Sequence, residues 1–344
     1  MNVNRATVAL AAAGVVLMLT VTACTSSKPK AGGGAGGATA PAASGVAVPG
    51  KAKNNYNVQF IQGVAGDEFY ITMQCGIQAE AAKLGVKVTT QGPQKFDPTL
   101  QKPILDSVMA GKPDALLIAP TDVTAMQTPL QVAAQKTKVV LVDTTVKDPS
   151  FATSAIASDN VGGGKAAFDA IQKLNPNGGT VMIMSVDPGI STTDARAKGF
   201  EDAVKADSKF KYLGIQYSHD DPATASNLMT SALQKDPDIV GVFAANLFAA
   251  EGTATGVRQA NKGNQVKIVG FDAGPGQVKA LRDGTVQALV AQQPAKIGQY
   301  GVDMAVAALD GGQVTPKVQT GFTVIDKDKV DAPEGQQAAY KSTC

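Results

Sequence analysis

One feature of this chain limits its fold more than any other. Between residues 57 and 292, short apolar runs alternate with segments of helical spacing. The runs are NVQFIQ (57–62), VKVTTQ (86–91), DALLIA (114–119), KVVLVD (138–143), TSAIAS (153–158), GTVMIMS (179–185), KFKYLGIQY (209–217), DIVGVFAA (238–245), VKIVGFD (266–272) and TVQALVAQ (285–292). Most are continuously apolar, as parallel strands covered on both faces require. Between them, Phe69, Met73, Ile77 and Ala81 recur at i, i+4 and predict a helix with one buried stripe. Gly85, Gly111, Gly263 and Gly284 fit helix ends. Repeated strand–helix–strand units imply right-handed crossovers. So many strands, with their helices, exceed one open sheet. Two doubly wound parallel-sheet α/β domains are therefore predicted, with ligand chemistry just beyond the carboxyl ends of the strands.

Composition narrows the function. A length of 344 residues suits two domains. The net charge is +2 with no run of Lys or Arg, which gives no case for a nucleic-acid partner. His219 is the single histidine, so a histidine-based metal cluster is excluded, and neither a metal nor a cofactor is expected. Residues 1–23 carry Arg5 and an apolar core that closes on Val21-Thr22-Ala23-Cys24, the pattern of a secretory signal. That closing tetrad resembles a bacterial lipobox, which would make Cys24 the lipidated first residue of an extracytoplasmic protein held on the cell membrane. Residues 24–55 are rich in Gly, Ala, Ser and Pro and read as a disordered tether. Cys75 and Cys344 then remain. Export favours a disulfide between them, and two free thiols are the alternative.

The positions after the strands are chemically uniform. They hold Asp67, Phe69 and Tyr70; Thr121 and Asp122; Asp143 and Thr144; Ser158, Asp159 and Asn160; Asn246; Phe271 and Asp272; and Gln292. Carboxylates accept from vicinal hydroxyls, amides both donate and accept, and an aromatic face covers the C–H face of a sugar ring. The set suits a small neutral sugar or polyol. Taken one at a time, these residues are equally compatible with turn formation or helix capping.

The stretches LIAPTD, AIASDNVGGG, IVGFD and ALVAQQPAKIG, in that order, resemble the ribose-type periplasmic sugar-binding proteins of ABC importers. The likeness extends from about Asn57 to Ile325. It implies a type I periplasmic binding protein with a three-segment hinge near Ser158-Asp159, Gln292-Gln293 and Gly321. One lobe would comprise 56–158 plus 293–321. The other would comprise 159–292 plus a closing strand at 322–326, with 327–344 as a tail. The resemblance also implies ligand-binding roles for Asp67, Phe69, Tyr70, Asp143, Asn246, Phe271, Asp272 and Gln292. RAKGF (196–200) matches a family pattern at a helix start, which makes Arg196 a candidate. Thr144, Asp194 and Ala119 stand where the family has two arginines and an asparagine. A bidentate guanidinium is not replaced by a threonine, so ribose itself is disfavoured. Asp67, Asp143, Asp194 and Asp272 keep a cationic or amino-bearing ligand open as an alternative.

Enzymatic readings lack their motifs. The first turn, QGVAGDEF, is no dinucleotide fingerprint. In SDNVGGGKAAF (158–168) Ala166 occupies the place of a phosphate-loop hydroxyl, so the glycines are read as hinge-side packing and Lys165 as a solvated charge. The expected function is capture by hinge closure and delivery to an ABC permease by a monomer, with presentation to a receptor as the alternative.

Overall fold

The computed structural model describes Val46 and residues 48–344. The signal segment, Cys24 and most of the tether lie outside the described residues. Two six-stranded sheets form the molecule. The first contains β1 (Asn57–Ile61), β2 (Lys87–Gln91), β3 (Ala115–Ile118), β4 (Lys138–Val142) and β5 (Ser154–Ser158). The second contains β6 (Gly179–Ser185), β7 (Phe210–Tyr217), β8 (Ile239–Ala244), β9 (Lys267–Phe271) and β10 (Ala288–Ala291). Each is completed at one edge, by β11 (Lys317–Thr320) and β12 (Thr323–Asp326) respectively.

The strand orders, β11-β5-β4-β3-β1-β2 and β12-β10-β9-β8-β6-β7, are the same winding used twice. Every pairing is parallel except β12 on β10, which is antiparallel. The two doubly wound parallel-sheet domains are as expected, with this one antiparallel edge. β12 follows β11 after only Gly321 and Phe322, so it enters the second sheet without a helical crossover.

Ten helices accompany the strands among the described residues: α1 (Glu68–Leu84), α2 (Pro98–Ala110), α3 (Gln127–Ala134), α4 (Asn160–Leu174), α5 (Ser191–Lys205), α6 (Pro222–Lys235), α7 (Leu247–Gln259), α8 (Pro275–Asp283), α9 (Pro294–Leu309) and α10 (Pro333–Ala338). The chain passes between lobes at β5–α4, at β10–α9 and between β11 and β12. α1 buries Phe69, Met73, Ile77 and Ala81 as the spacing requires, and Gly85 and Gly284 end α1 and α8 in left-handed backbone. Gly263 does not end a helix. α7 stops at Gln259, and Asn261 takes the positive φ, 57°.

The three glycines of SDNVGGGKAAF lie in the first turns of α4, where Asp159 caps the helix by accepting from the Gly162 N–H (3.0 Å). A β-carbon on Gly164 would fall 1.9 Å from the Arg196 carbonyl oxygen of α5. One on Gly199 would fall 2.0 Å from the Val161 carbonyl oxygen. Glycine on both helices lets α4 and α5 meet backbone to backbone. Lys165 pairs with Asp169 (2.7 Å) on the exposed face. The end of the predicted tether is fastened to the first lobe. The Ala52 N–H donates to Leu84 O (2.8 Å) and the Lys53 ammonium to Asp310 O (2.8 Å), so the tether gives way to folded structure before residue 55.

Candidate functional site

The two sheets direct their carboxyl ends at a shared cavity of about 40 Å³. From the first lobe, Asp67 caps α1. Its Oδ1 accepts the Phe69 N–H (2.7 Å), which fixes Phe69 and Tyr70 in the first turn of α1, on the cavity wall. The Tyr70 hydroxyl donates to Asp143 Oδ2 (2.7 Å). Asp143 follows β4 with φ 64°, and Asp272 follows β9 with φ 80°. The repeated winding thus places two left-handed turns at equivalent strand ends, each carrying a carboxylate to the cavity.

From the second lobe, Asn246 caps α7 through Oδ1 (3.0 Å from Ala249 N) and donates from Nδ2 to Asp220 Oδ1 (2.7 Å). Arg196 is 3% exposed. Its Nε donates to Asn160 Oδ1 (2.9 Å) and its Nη1 to Ala245 O (2.8 Å). Its guanidinium lies 3.8 Å above the Phe271 ring. Gln292 Nε2 donates to Asp272 Oδ1 (2.6 Å), and Gln292 Oε1 accepts from the Ser158 hydroxyl (2.7 Å). That last pair spans two of the hinge strands.

Burial governs the charges here. It pushes Asp67 well above the ordinary carboxylate range, helped by Asp272 nearby. Asp143 is raised to about 6 by burial, against the opposing pull of Arg196 and the Tyr70 hydroxyl. Asp220 is raised to about 6 by burial, against the Asn246 amide. Asp272 is raised by burial and held back by Arg196, Gln292 and Tyr340. Asp143 Oδ1, on the cavity wall, is buried without a hydrogen-bond partner. Among the described residues, no group of three or more His, Cys, Asp or Glu side chains is placed to hold a metal ion.

Eight of the predicted residues line the cavity: Asp67, Phe69, Tyr70, Asp143, Arg196, Asn246, Asp272 and Gln292. Four do not. The Thr144 hydroxyl is spent on Pro120 O (2.7 Å). Ser158 is occupied with Gln292. Phe271 lies beneath Arg196 as its platform rather than at the surface of the cavity. Asp194 turns away to accept the Gly189 N–H (3.0 Å). Arg196 sits in the second turn of α5, not at its start, and its Nε is held by Asn160. Sequence reasoning passed over Asp220, Phe96, Thr192 and Thr193, which also line the cavity. Asp220 and Phe96 lie beyond β7 and β2, and the strand-end rule would have found both.

The lobes are closed on this cavity. The Val123 N–H donates to Gly189 O (3.0 Å) and the Thr145 N–H to Ser191 Oγ (2.9 Å), each from the first lobe to the second.

Two like-wound lobes, a three-strand hinge and a polar cavity between them define a two-lobed solute-binding protein. Residues 58–313 match the periplasmic binding protein domain, and the chain belongs to that family. It is similar to the ribose import binding protein of Escherichia coli, at 32% identity over 83% of this chain and 95% of the relative. It is also similar to the D-allose-binding periplasmic protein of Escherichia coli, at 30% identity over 72% and 83%. A solved ABC transporter solute-binding protein from Agrobacterium vitis, bound with alpha-D-tagatopyranose, superposes with a TM-score of 0.82. That protein is 39% identical over 83% of this chain and all of its own. The chain is thus a non-enzymatic, extracytoplasmic transport component.

Proposed function

We propose that this protein is the lipid-anchored receptor of an ABC importer, capturing a small neutral sugar or polyol between its lobes and delivering it to a permease. The observation that carries this reading is the cavity itself. Carboxylates from both lobes, Asp67 and Asp143 facing Asp220 and Asp272, accept hydroxyl hydrogens, while Phe69 and Phe96 supply apolar faces. The likeness to the tagatose-bound Agrobacterium vitis protein supports the same ligand class. Closure follows because ligand contacts to both lobes exist together only in the closed form. Cys24 would carry the lipid, tested by the mass of the N-terminal peptide from membrane-extracted protein.

The test of the ligand class is a thermal-shift panel on the mature chain. It compares D-tagatose, D-ribose, D-allose, D-arabinose, tetritols and pentitols with amino acids and polyamines. Ligand at ~100 times its Kd adds roughly 2.7 kcal/mol and a clear rise in Tm. A shift with a sugar or polyol supports the reading. No shift with any of them, together with one from a polyamine, overturns it. A second reading, an amino-bearing ligand, is favoured by one observation: four cavity carboxylates face a single guanidinium, Arg196. An amino sugar binding more tightly than its hydroxyl counterpart would establish it.

A further inference from the structure

The C-terminal segment does more than trail from the second lobe. After β12 and α10 the chain turns inward at Tyr340, which is 5% exposed. The Tyr340 N–H donates to Ala273 O (2.9 Å) in the second lobe. Its hydroxyl donates to Asp272 Oδ1 (3.0 Å) and accepts the Gln292 N–H (3.0 Å) at the hinge. Its ring centre lies 5.9 Å from that of Phe69 in the first lobe. The next residue is already on that lobe, where the Lys341 N–H donates to Thr72 Oγ1 (2.7 Å) of α1. Cys344 is bonded to Cys75 on the same helix, with Cα atoms 5.2 Å apart. Within a few residues the chain has crossed from one lobe to the other beside the hinge and has been fastened covalently. Outside this crossing opens a groove of about 650 Å³, walled by Thr72, Gln292, Tyr340 and Glu334.

We infer that residues 339–344 form a fourth, disulfide-anchored crossing between the lobes, and that Tyr340 on it is a positioning residue for the cavity carboxylate of Asp272. The positioning part rests on the reading of Asp272 as a ligand contact, and the strap does not. Hinge opening changes the distance between the Asp272 turn and α1. A tail bonded to α1 and hydrogen-bonded at Ala273, Asp272 and Gln292 limits that change. Two donors on Asp272 Oδ1, from Tyr340 and Gln292, fix the carboxylate's rotation before a ligand arrives, which lowers the ordering cost of binding.

The test uses the mature, oxidised chain without ligand. It compares wild type with Cys75→Ser/Cys344→Ser and with Tyr340→Phe, which keeps the ring and the disulfide. The cysteine pair variant is expected to show a larger radius of gyration by small-angle scattering and faster amide exchange at Gln292. Tyr340→Phe removes the acceptor of the Gln292 N–H, so that amide is expected to exchange about tenfold faster at an unchanged radius of gyration. The Asp272 carboxyl, followed by carbon NMR, should titrate at higher pH once its hydroxyl donor is gone. Arg196 from α5, Asp67 at the start of α1, Asp143 after β4 and Asp220 after β7 still face it in both proteins. An unchanged radius and unchanged Gln292 exchange in the cysteine variant overturn the strap. An unmoved Asp272 titration in Tyr340→Phe overturns the positioning role. Failure of D-tagatose and every other sugar to bind wild type would overturn the proposed ligand class alone.

Discussion

At the scale of single residues, backbone conformation decides which substitutions are informative. Asp143 and Asp272 hold positive φ, a region that asparagine and aspartate enter more readily than other non-glycine residues. Alanine there would mix strain with loss of the carboxylate, so asparagine is the cleaner probe. Asp272→Asn is expected to weaken binding of the panel's best sugar roughly 10- to 100-fold, the loss of a charged hydrogen-bond partner, with Tm of the free protein little changed. Isothermal titration calorimetry checks it. Asp143 and Asp220, each raised to about 6, also set a pH dependence. On the proposed reading a ligand hydroxyl donates to the ionised carboxylate, so the bound state favours ionisation and lowers those values. Affinity is therefore expected to be full near pH 7.5 and to fall as pH drops below about 6, by up to about tenfold per pH unit per group. An affinity flat from pH 5 to 7.5 would contradict this. Asp303 on α9 works on stability instead. It is 3% exposed, its Oδ1 has no partner, and burial with Glu80 nearby raises it to about 7. Between about pH 4 and 7 the folded chain keeps a proton that the unfolded chain releases, so stability falls as pH rises through that window. Asp67, Asp143, Asp220 and Asp272 act in the same direction, so Asp303→Asn should remove only its own share of this dependence and raise stability on the order of 1–2 kcal/mol at pH 7.5, with no gain near pH 4. Urea unfolding at both pH values measures it.

At the scale of elements, the α4–α5 contact carries the site as well as the fold. Gly164 faces the backbone of Arg196, the residue that holds positive charge beneath the cavity. Gly164→Ala must push the helices apart, because the obstacle is a main-chain oxygen rather than a flexible side-chain end. A loss of about 2–4 kcal/mol in urea unfolding is expected. Weaker sugar binding should accompany it as Arg196 shifts from Asn160 and Ala245. The central strands were legible because their burial on both faces writes a continuous apolar run. The edges were not. KVQT of β11 and TVID of β12 alternate or mix exposure, and as four-residue polar-looking runs they read as loop, with only the family resemblance pointing to a closing strand. Part of the cavity lies beyond two other edge strands, β2 and β7, whose runs are readable in the sequence, and the strand-end rule reaches Phe96 and Asp220 there. Side-chain direction was beyond reach of spacing. Phe271 and Asp272 are neighbours, yet one lies under Arg196 and the other faces the cavity.

For the whole molecule, uptake by closure as proposed makes binding and closure one equilibrium, and a ligand moves it only as far as it prefers the closed form. The Ser191 hydroxyl gives a way to perturb closure without touching the cavity. Ser191 begins α5 and its Oγ accepts the Thr145 N–H of the other lobe, a bond that exists only when the lobes meet. Ser191→Ala removes that acceptor, worth about 1 kcal/mol net, and leaves each lobe's own packing intact. The closed state loses roughly fivefold in population relative to the open one. Ligand is therefore expected to bind about fivefold more weakly, chiefly through faster dissociation in stopped-flow measurements, because the lost bond is one that opening must break. Tm of the free protein should stay where it was. Asp272→Asn should behave differently if its carboxylate contacts ligand as proposed, since that loss is felt whether or not the lobes have met. If Ser191→Ala leaves both affinity and dissociation unchanged, the Thr145–Ser191 contact plays no part in holding the ligand, and closure is held by the other contacts between the lobes, Val123–Gly189 among them.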